Sequence, residues 1–411
     1  AWKTLRQSSL ELPISNVLDQ MIQKRGLISK SVPYFKKDWA YFVANAYESV
    51  QKTEEAEKWY KKVGLKDRYF LPSQYQLALI ALSDGRYEDA HSYLNKILDS
   101  TTLSVTTLRG KNLTTIYEYA LLAKARVLYE QKNFKESVTY YRKIHRYSEH
   151  RFDALFEQSW AFFMAGYPNF SLGALYSIQT PFYDHVFHPE TTVTKALVYY
   201  WMCRYEDSRA TLAEFKDSYE KSITTLSEFI SRRRLTASSG YRLFENLLNG
   251  VSDESLGFER RVLMKAADQD SMLMLRNQLA AIVEERARLE ENGMFGLSRG
   301  LDKADVYLQK WLASLKEDIG KQFITELRKM VKKFNGLAEQ MAFLEVELLM
   351  SKKQELLGKS LHASGKITQI PKKDQVKDFA RDAQSWGTSK KHEFWWDELG
   401  YYIVEAEPLC K

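Results

Sequence analysis

Small residues recur along the first half of this chain at the spacing two packed helices require. Each sits in a short pattern: an aromatic, a small residue three later, then apolar residues four and seven beyond that. Tyr87, Ala90, Leu94 and Ile97 form one copy. Phe134, Ser137, Tyr141 and Ile144 form another, and Tyr205, Ser208, Leu212 and Phe215 a third. Phe170, Gly173 and Ser177 give a weaker copy, and Thr53, Ala56, Tyr60 and Val63 give one with Thr in the aromatic place. The small residues 56, 90, 137, 173 and 208 are 34, 47, 36 and 35 apart. The long interval reads as one period plus an insertion of 13 over Asp99 to Asn112, a run rich in Ser, Thr, Gly and Asn.

A second small residue lies twelve positions before each of these: Ala44, Ala78, Ala125, Ala161 and Ala196. Two small positions per unit let a pair of helices approach closely, and larger residues between them fill the gap to the next pair. Pro33, Pro72 and Pro189 stand just ahead of three such helices, where Pro is tolerated. The chain is therefore expected to be all-α, a stack of helix pairs.

On these positions the sequence resembles the tetratricopeptide repeat family over about 33–216. The resemblance implies a right-handed superhelix of about five helix pairs whose concave face binds a peptide or a partner protein. In that register the candidate groove residues are Tyr41, Asn45, Tyr75, Arg126, Tyr129 and Tyr200, joined by Glu48, Leu79, Leu122 and Leu197. Some members of the family grip a terminal carboxylate with Lys, Asn and Arg. Asn45 falls in one such place, but Tyr41, Leu79 and Leu122 occupy the others and cannot hold a carboxylate.

The pattern changes after about residue 214. Residues 217–253 read as connecting helices, and 254–357 as a long antiparallel coiled-coil hairpin. Its second helix carries Leu327, Met330, Phe334, Leu337, Met341, Leu344 and Leu348 at alternating steps of three and four. The first, expected as one helix over 254–292, carries Met272, Leu275, Leu279 and Ile282. The short Gly-rich connection between them forces the two to be antiparallel neighbours. Residues 1–32 are expected as an amino-terminal helical cap. The start at Ala1 is that of a chain processed at its amino terminus or cut from a longer one.

Residues 358–411 read as a polar linker followed by an aromatic segment. Phe394, Trp395, Trp396, Tyr401 and Tyr402 crowd into nine residues. Left in water they would expose a large apolar patch, so the segment is expected to dock on the protein itself. A partner-anchoring role is the other reading, because Trp and Tyr dominate binding hot spots. The two cysteines are Cys203, at the end of a repeat helix, and Cys410, next to the last residue. In an oxidising compartment a bridge between them would fasten the tail to the array; in a reducing one they are unrelated thiols.

A closer resemblance rests on Trp160-Ala161-Phe162-Phe163, His188-Pro189-Glu190, Cys203-Arg204-Tyr205 and Trp396 through Tyr402. These runs are similar to envelope tetratricopeptide proteins of gliding and predatory bacteria, some of them parts of gliding-motility machinery. The resemblance implies a periplasmic or outer-membrane-associated assembly role.

The sequence contains no HExxH, Walker A or GxGxxG motif. His185 and His188, beside Asp184 and Glu190, are a weak metal pair and read as capping or surface groups. No catalytic residue, cofactor, metal or small-molecule substrate is expected. The net charge of +7 comes from 60 basic and 53 acidic residues, a modest excess that makes nucleic acid an improbable partner. No run of 18 apolar residues could span a membrane. The expected function is a non-catalytic scaffold or adaptor of a bacterial envelope assembly, binding protein partners through the repeat groove and the helical arm. A cytoplasmic peptide-binding chaperone and a nucleic-acid-associated regulator remain as alternatives.

Overall fold

The computed structural model describes residues 39–49, 51–99, 111–232, 235–251, 259–291, 299–356, 384–386, 395 and 398–410. The expected amino-terminal cap at 1–32, most of the insertion after Asp99, the hairpin turn at 292–298 and the linker at 358–383 lie outside them. Among the described residues the chain is all-helical apart from two strands of three residues each. No helix among them is long and apolar enough to cross a membrane.

Among the described residues the first ten helices come in five pairs. They are α1 (Trp39–Ser49) with α2 (Thr53–Tyr60), α3 (Phe70–Ser83) with α4 (Tyr87–Leu98), and α5 (Lys111–Glu130) with α6 (Phe134–Arg142). Then follow α7 (Arg151–Met164) with α8 (Pro168–Ile178), and α9 (Pro189–Trp201) with α10 (Tyr205–Phe215). The five turns inside the pairs are built alike. Each has one left-handed residue: Gln51, Gly85, Lys132, Gly166 and Cys203, with φ between 57° and 82°. The amide after it returns to the carbonyl five back, as in Arg86 N–H to Ala81 O at 2.8 Å and Arg204 N–H to Tyr199 O at 3.0 Å. The left-handed residue's own amide meets the carbonyl three back, as in Gly85 N–H to Leu82 O at 3.0 Å. This is the Schellman closure, which satisfies the orphan carbonyls at a helix end. Three of the five left-handed residues are not Gly, so the turn is held there against an intrinsic backbone cost.

The turns correct the register of the fourth pair. In the other four pairs the small residue of the second helix lies five after the left-handed residue, at Ala56, Ala90, Ser137 and Ser208. Five after Gly166 is Ser171, not Gly173, and twelve before it is Ser159, not Ala161. The aromatic place is then taken by Pro168, with Leu175 and Ile178 in the apolar places. Ser159, Ala161 and Ser171 are all fully buried, so composition alone could not choose between the two registers. Elsewhere the small positions close the pair directly: Ser137 Oγ donates to Ala125 O at 2.7 Å and Ser208 Oγ to Ala196 O at 2.9 Å.

The chain forms two compact units, with a division at residues 180/181. One holds the first four pairs with 369–407; the other holds 181–368 with 408–411. In the first, each apolar cluster is shared between successive pairs: Ala44, Ala56 and Tyr60 of the first pair pack with Leu77 and Ile80 of the second. The two strands, β1 (Gln384–Trp386) and β2 (Tyr402–Val404), run parallel, with Gln384 opposite Tyr402. Strand β2 lies against α8.

In the second unit α9 and α10 are followed by a π-type turn at Lys216–Glu220 that leads directly into α11 (Lys221–Arg232). Then come α12 (Ala237–Leu248), α13 (Arg260–Ala267), α14 (Asp270–Glu291) and α15 (Arg299–Leu356). Where one helix is expected over 254–292, the structure has two. The first ends at Asp268, and the Gln269 carbonyl accepts from the amides of Met272 and Leu273 to start the second. Helix α15 has 58 residues, which at 1.5 Å per residue makes it about 87 Å long. Its first half packs antiparallel to α14: Arg286 Nε reaches Asp305 at 2.8 Å, and Ser271 Oγ reaches Glu326 at 2.9 Å. Its second half lies along α9–α11, through Lys333–Glu190, Asn335–Ser227, Lys216–Glu345 and Tyr200–Glu347. The apolar stripe read from the sequence is buried here, from Leu327 through Leu348, with Leu337 half-buried.

Helices α12 and α15 cross with their backbones nearly touching. A Cβ on Gly320 would stand 1.9 Å from the Ala237 carbonyl oxygen, and one on Gly240 would stand 2.4 Å from the Gly320 carbonyl oxygen. Backbone cannot yield as a side chain can. Gly320→Ala is expected to destabilise the protein by about 1–3 kcal/mol, as overpacking a tight contact does. A lower midpoint of denaturant unfolding checks it. Gly336→Ala, where nothing lies within 4 Å of the added atom, is the control that should not lower it.

Candidate partner-binding site

With the register set by the turns, three places on the first helix of each pair can be compared. They lie ten, six and three residues before the left-handed residue. In the first pair they hold Tyr41, Asn45 and Glu48; in the second Tyr75, Leu79 and Leu82; in the third Leu122, Arg126 and Tyr129. In the fourth they hold Phe156, Trp160 and Phe163.

The first-pair residues are largely engaged within the fold. Tyr41 stacks on Tyr69 with ring centroids 4.6 Å apart, and burial raises its phenol pKa. Asn45 accepts from Tyr60 Oη at 2.5 Å, and Glu48 accepts from the same hydroxyl. Burial, and then the Glu48 carboxylate, hold that phenol firmly protonated. Asn45 therefore supports a buried tyrosine rather than facing a ligand.

Farther along, the face opens. Tyr75 is half-buried and 5.8 Å from Tyr119, which is itself 4.7 Å from His150. Leu79 is 37% exposed. Arg126 makes two hydrogen bonds to Glu157, at 2.8 and 2.7 Å, and Glu157 also accepts from Tyr141 Oη at 2.9 Å. This fixes the guanidinium plane in a bidentate geometry. Tyr129 packs edge-on against Phe134 at 5.1 Å. In the fourth pair Phe156, Trp160 and Phe163 are all half-buried, and Trp160 meets Phe163 edge-on at 6.1 Å. Met164 beside them is 50% exposed. Steps of four and three put the three rings on one side of α7. Reading the fourth pair two residues late hides this row, which is why the sequence alone did not name it.

Tyr200 belongs to the second unit. It lines a groove with Leu197, Trp201, Phe343 and Leu344, and its hydroxyl lies 3.1 Å from Glu347. Burial and that carboxylate push its pKa up to about 12. The candidate groove residues thus fall in two places: Tyr41, Asn45, Tyr75, Arg126 and Tyr129 in the first unit and Tyr200 in the second.

The carboxyl-terminal segment is held through its backbone. Arg151 Nη2 donates to Leu399 O at 2.7 Å, and Gln158 Nε2 to Gly400 O at 3.2 Å. Asn169 Nδ2 donates to Val404 O at 2.9 Å and to Ala406 O at 3.2 Å, while the Gly400 amide donates to Ser177 Oγ at 2.8 Å. Leu399 and Tyr402 are buried, and the Tyr401 ring lies 5.0 Å from the Arg142 guanidinium. Trp395 is 58% exposed, whereas Phe394 and Trp396 lie outside the described residues. Gly173 makes the contact possible: a Cβ there would stand 1.8 Å from the Tyr402 carbonyl oxygen. In the second unit the last residues meet the α9–α10 turn. Cys203 and Cys410 form a disulfide, and the Leu409 amide donates to Met202 O at 2.9 Å.

A buried charge cluster lies at the start of α9. Glu190 lies 2.5 Å from Lys333 and 3.5 Å from Lys265, with His188 Nδ1 at 3.4 Å. Burial works against the Glu190 charge, but His188 and the two lysines outweigh it and bring its pKa down to about 2. Burial is also the main reason that His188 is neutral, with a pKa of about 3. His188 Nδ1 is 2.9 Å from Thr191 Oγ1. These groups join the start of α9 to α13 and α15. Among the described residues no group of three or more His, Cys, Asp or Glu is gathered as a metal ion would need.

The chain matches no protein-family model, and no curated protein matches it.

Gly173→Ala should lift β2 from α8. The amides of 399–406 are then expected to exchange with deuterium at least about tenfold faster, while those of α3 keep their protection. Unchanged exchange in 399–406 would mean that the close approach at Gly173 does not hold the segment.

Proposed function

We propose that this chain is a non-catalytic adaptor of the tetratricopeptide type, docking a protein or peptide partner on the face that carries Phe156, Trp160 and Phe163. The observation that carries the reading is the half-exposed aromatic row itself. Large rings with few rotatable bonds supply contact area at low entropy cost, which is why they anchor interfaces. Arg126, held flat by Glu157, adds a fixed donor beside it. The recurring Schellman turns at intervals of 34, 47, 34 and 37 residues support a repeat array. The antiparallel seam of α14 against α15 supports a coiled-coil arm.

The docked segment 399–406 supports the same reading. It is a turn at Leu399–Gly400 followed by the short strand β2, gripped by side chains through its carbonyls, the way a helix pair would hold a peptide regardless of most of its side chains. The disulfide favours an oxidising compartment, and with it an envelope location, periplasmic or outer-membrane-associated, in a bacterial assembly of the gliding-motility or secretion kind.

The test is quantitative affinity capture from the source cells. The chain and its Trp160→Ala/Phe163→Ala variant are compared at equal unfolding midpoints. Proteins retained by the first should be depleted about tenfold or more with the second, the loss of one or two hot-spot aromatics. Identical retained sets would move the binding surface elsewhere.

A further inference from the structure

The second half of α15 buries one side and leaves the opposite side open. Arg328, Lys332, Gly336, Glu339, Phe343, Val346 and Met350 fall within about 80° of one another at 100° per residue. The buried residues Leu327, Met330, Phe334, Met341, Leu344 and Leu348 lie on the other side. Phe343 is 66% exposed, Met350 56% and Val346 48%. Arg328, Lys332 and Glu339 are exposed, and none of them has an ion-pair partner among the described residues. At Gly336 the backbone is bare: a Cβ built there meets nothing within 4 Å. Two shallow grooves of about 800 and 590 Å³ meet at Gly336 and Glu339, one walled by Leu197 and Tyr200, the other by Ile230 and Val331.

The charges on this face reverse sign about Gly336. Basic residues stand eight and four positions before it, at Arg328 and Lys332, and an acidic one stands three after it, at Glu339. Such a helix is complementary to its own reverse. We propose that this face is a homodimer interface, occupied by α15 of a second copy lying antiparallel across it, the two helices crossing at their Gly336 residues.

In that arrangement Lys332 of each copy comes within reach of the partner's Glu339 and Gln340. The Arg328 stem covers the partner's Phe343. Each contact occurs twice, as a two-fold, isologous interface requires. A parallel pairing would instead set like charges side by side. Bare glycines at the crossing let the backbones approach closely enough for side chains three to eight residues away to meet. Helix α15 is anchored along its other side to α9–α12, so the face is rigid before association and little ordering cost attends binding. The inference does not depend on the aromatic row of the first unit.

Charge exchange tests it on the full chain. Sedimentation equilibrium is run from micromolar to hundreds of micromolar on the unmodified protein, Lys332→Glu, Glu339→Lys, and the double exchange. Both positions are exposed and seven residues apart, so they do not pair within one helix and folding is not at stake. The unmodified chain should show a reversible species of twice the single-chain mass. Each single reversal places like charges opposite one another at two symmetric points and should weaken the dimer about tenfold or more. The double exchange should restore it to within about threefold. A chain that stays monomeric throughout overturns the proposal. So does a dimer indifferent to the single reversals, or one that the double exchange fails to restore.

Discussion

The return of two amides to the carbonyls at a helix end, around one left-handed residue, is the contact on which the five described helix pairs depend. It occurs at Gln51, Gly85, Lys132, Gly166 and Cys203, and each time it ends one helix and starts its partner at a fixed angle. A helix end leaves carbonyls without partners, and burying them unpaired would cost more than the strain of a left-handed backbone. The turn therefore forms even where the residue is Gln, Lys or Cys. Once it has formed, it sets which residue of each helix meets its neighbour, and so which side chains are left facing out. Cys203 is both the turn residue of the fifth pair and half of the disulfide, so the carboxyl terminus is fastened to a point the backbone already holds firmly.

Much of this was legible in the sequence. Helical class follows from small residues twelve apart and apolar residues at three and four, since burial of those faces is what makes the helices stable. The stripe from Leu327 to Leu348 was readable for the same reason. The fourth pair was not readable. Ser159 and Ala161, like Ser171 and Gly173, are two small residues two positions apart, and each of them could serve as the contact residue. Only the position of the left-handed turn separates them. Gly173 is small for another reason, the strand that lies upon it, which no local pattern announces. The same slip concealed Phe156, Trp160 and Phe163.

Backbone proximity recurs as the means of joining distant parts of the chain within each unit. Gly173 admits β2, and Gly240 and Gly320 let α12 and α15 cross with carbonyls where side chains would normally stand. Polar side chains then finish the contact. Arg151, Gln158, Asn169 and Ser177 each bond the main chain of the carboxyl-terminal segment, so its path is set by donors and acceptors rather than by the identity of most of its residues. A fold that holds one of its own segments this way has the chemistry to hold another. It leaves the aromatic row on α7 only partly covered.

The register of the fourth pair carries that surface, and cysteine labelling measures it most directly. Single cysteines at Gln158, Trp160, Phe162 and Phe163 are introduced one at a time with the native disulfide intact, and their rates of maleimide modification are compared. The turn at Gly166 predicts fast modification of Trp160→Cys and Phe163→Cys and protection of Gln158→Cys and Phe162→Cys. Fast labelling at 158 and 162 with protection at 160 and 163 would place the helix two residues away, remove the aromatic row from the surface, and contradict the account.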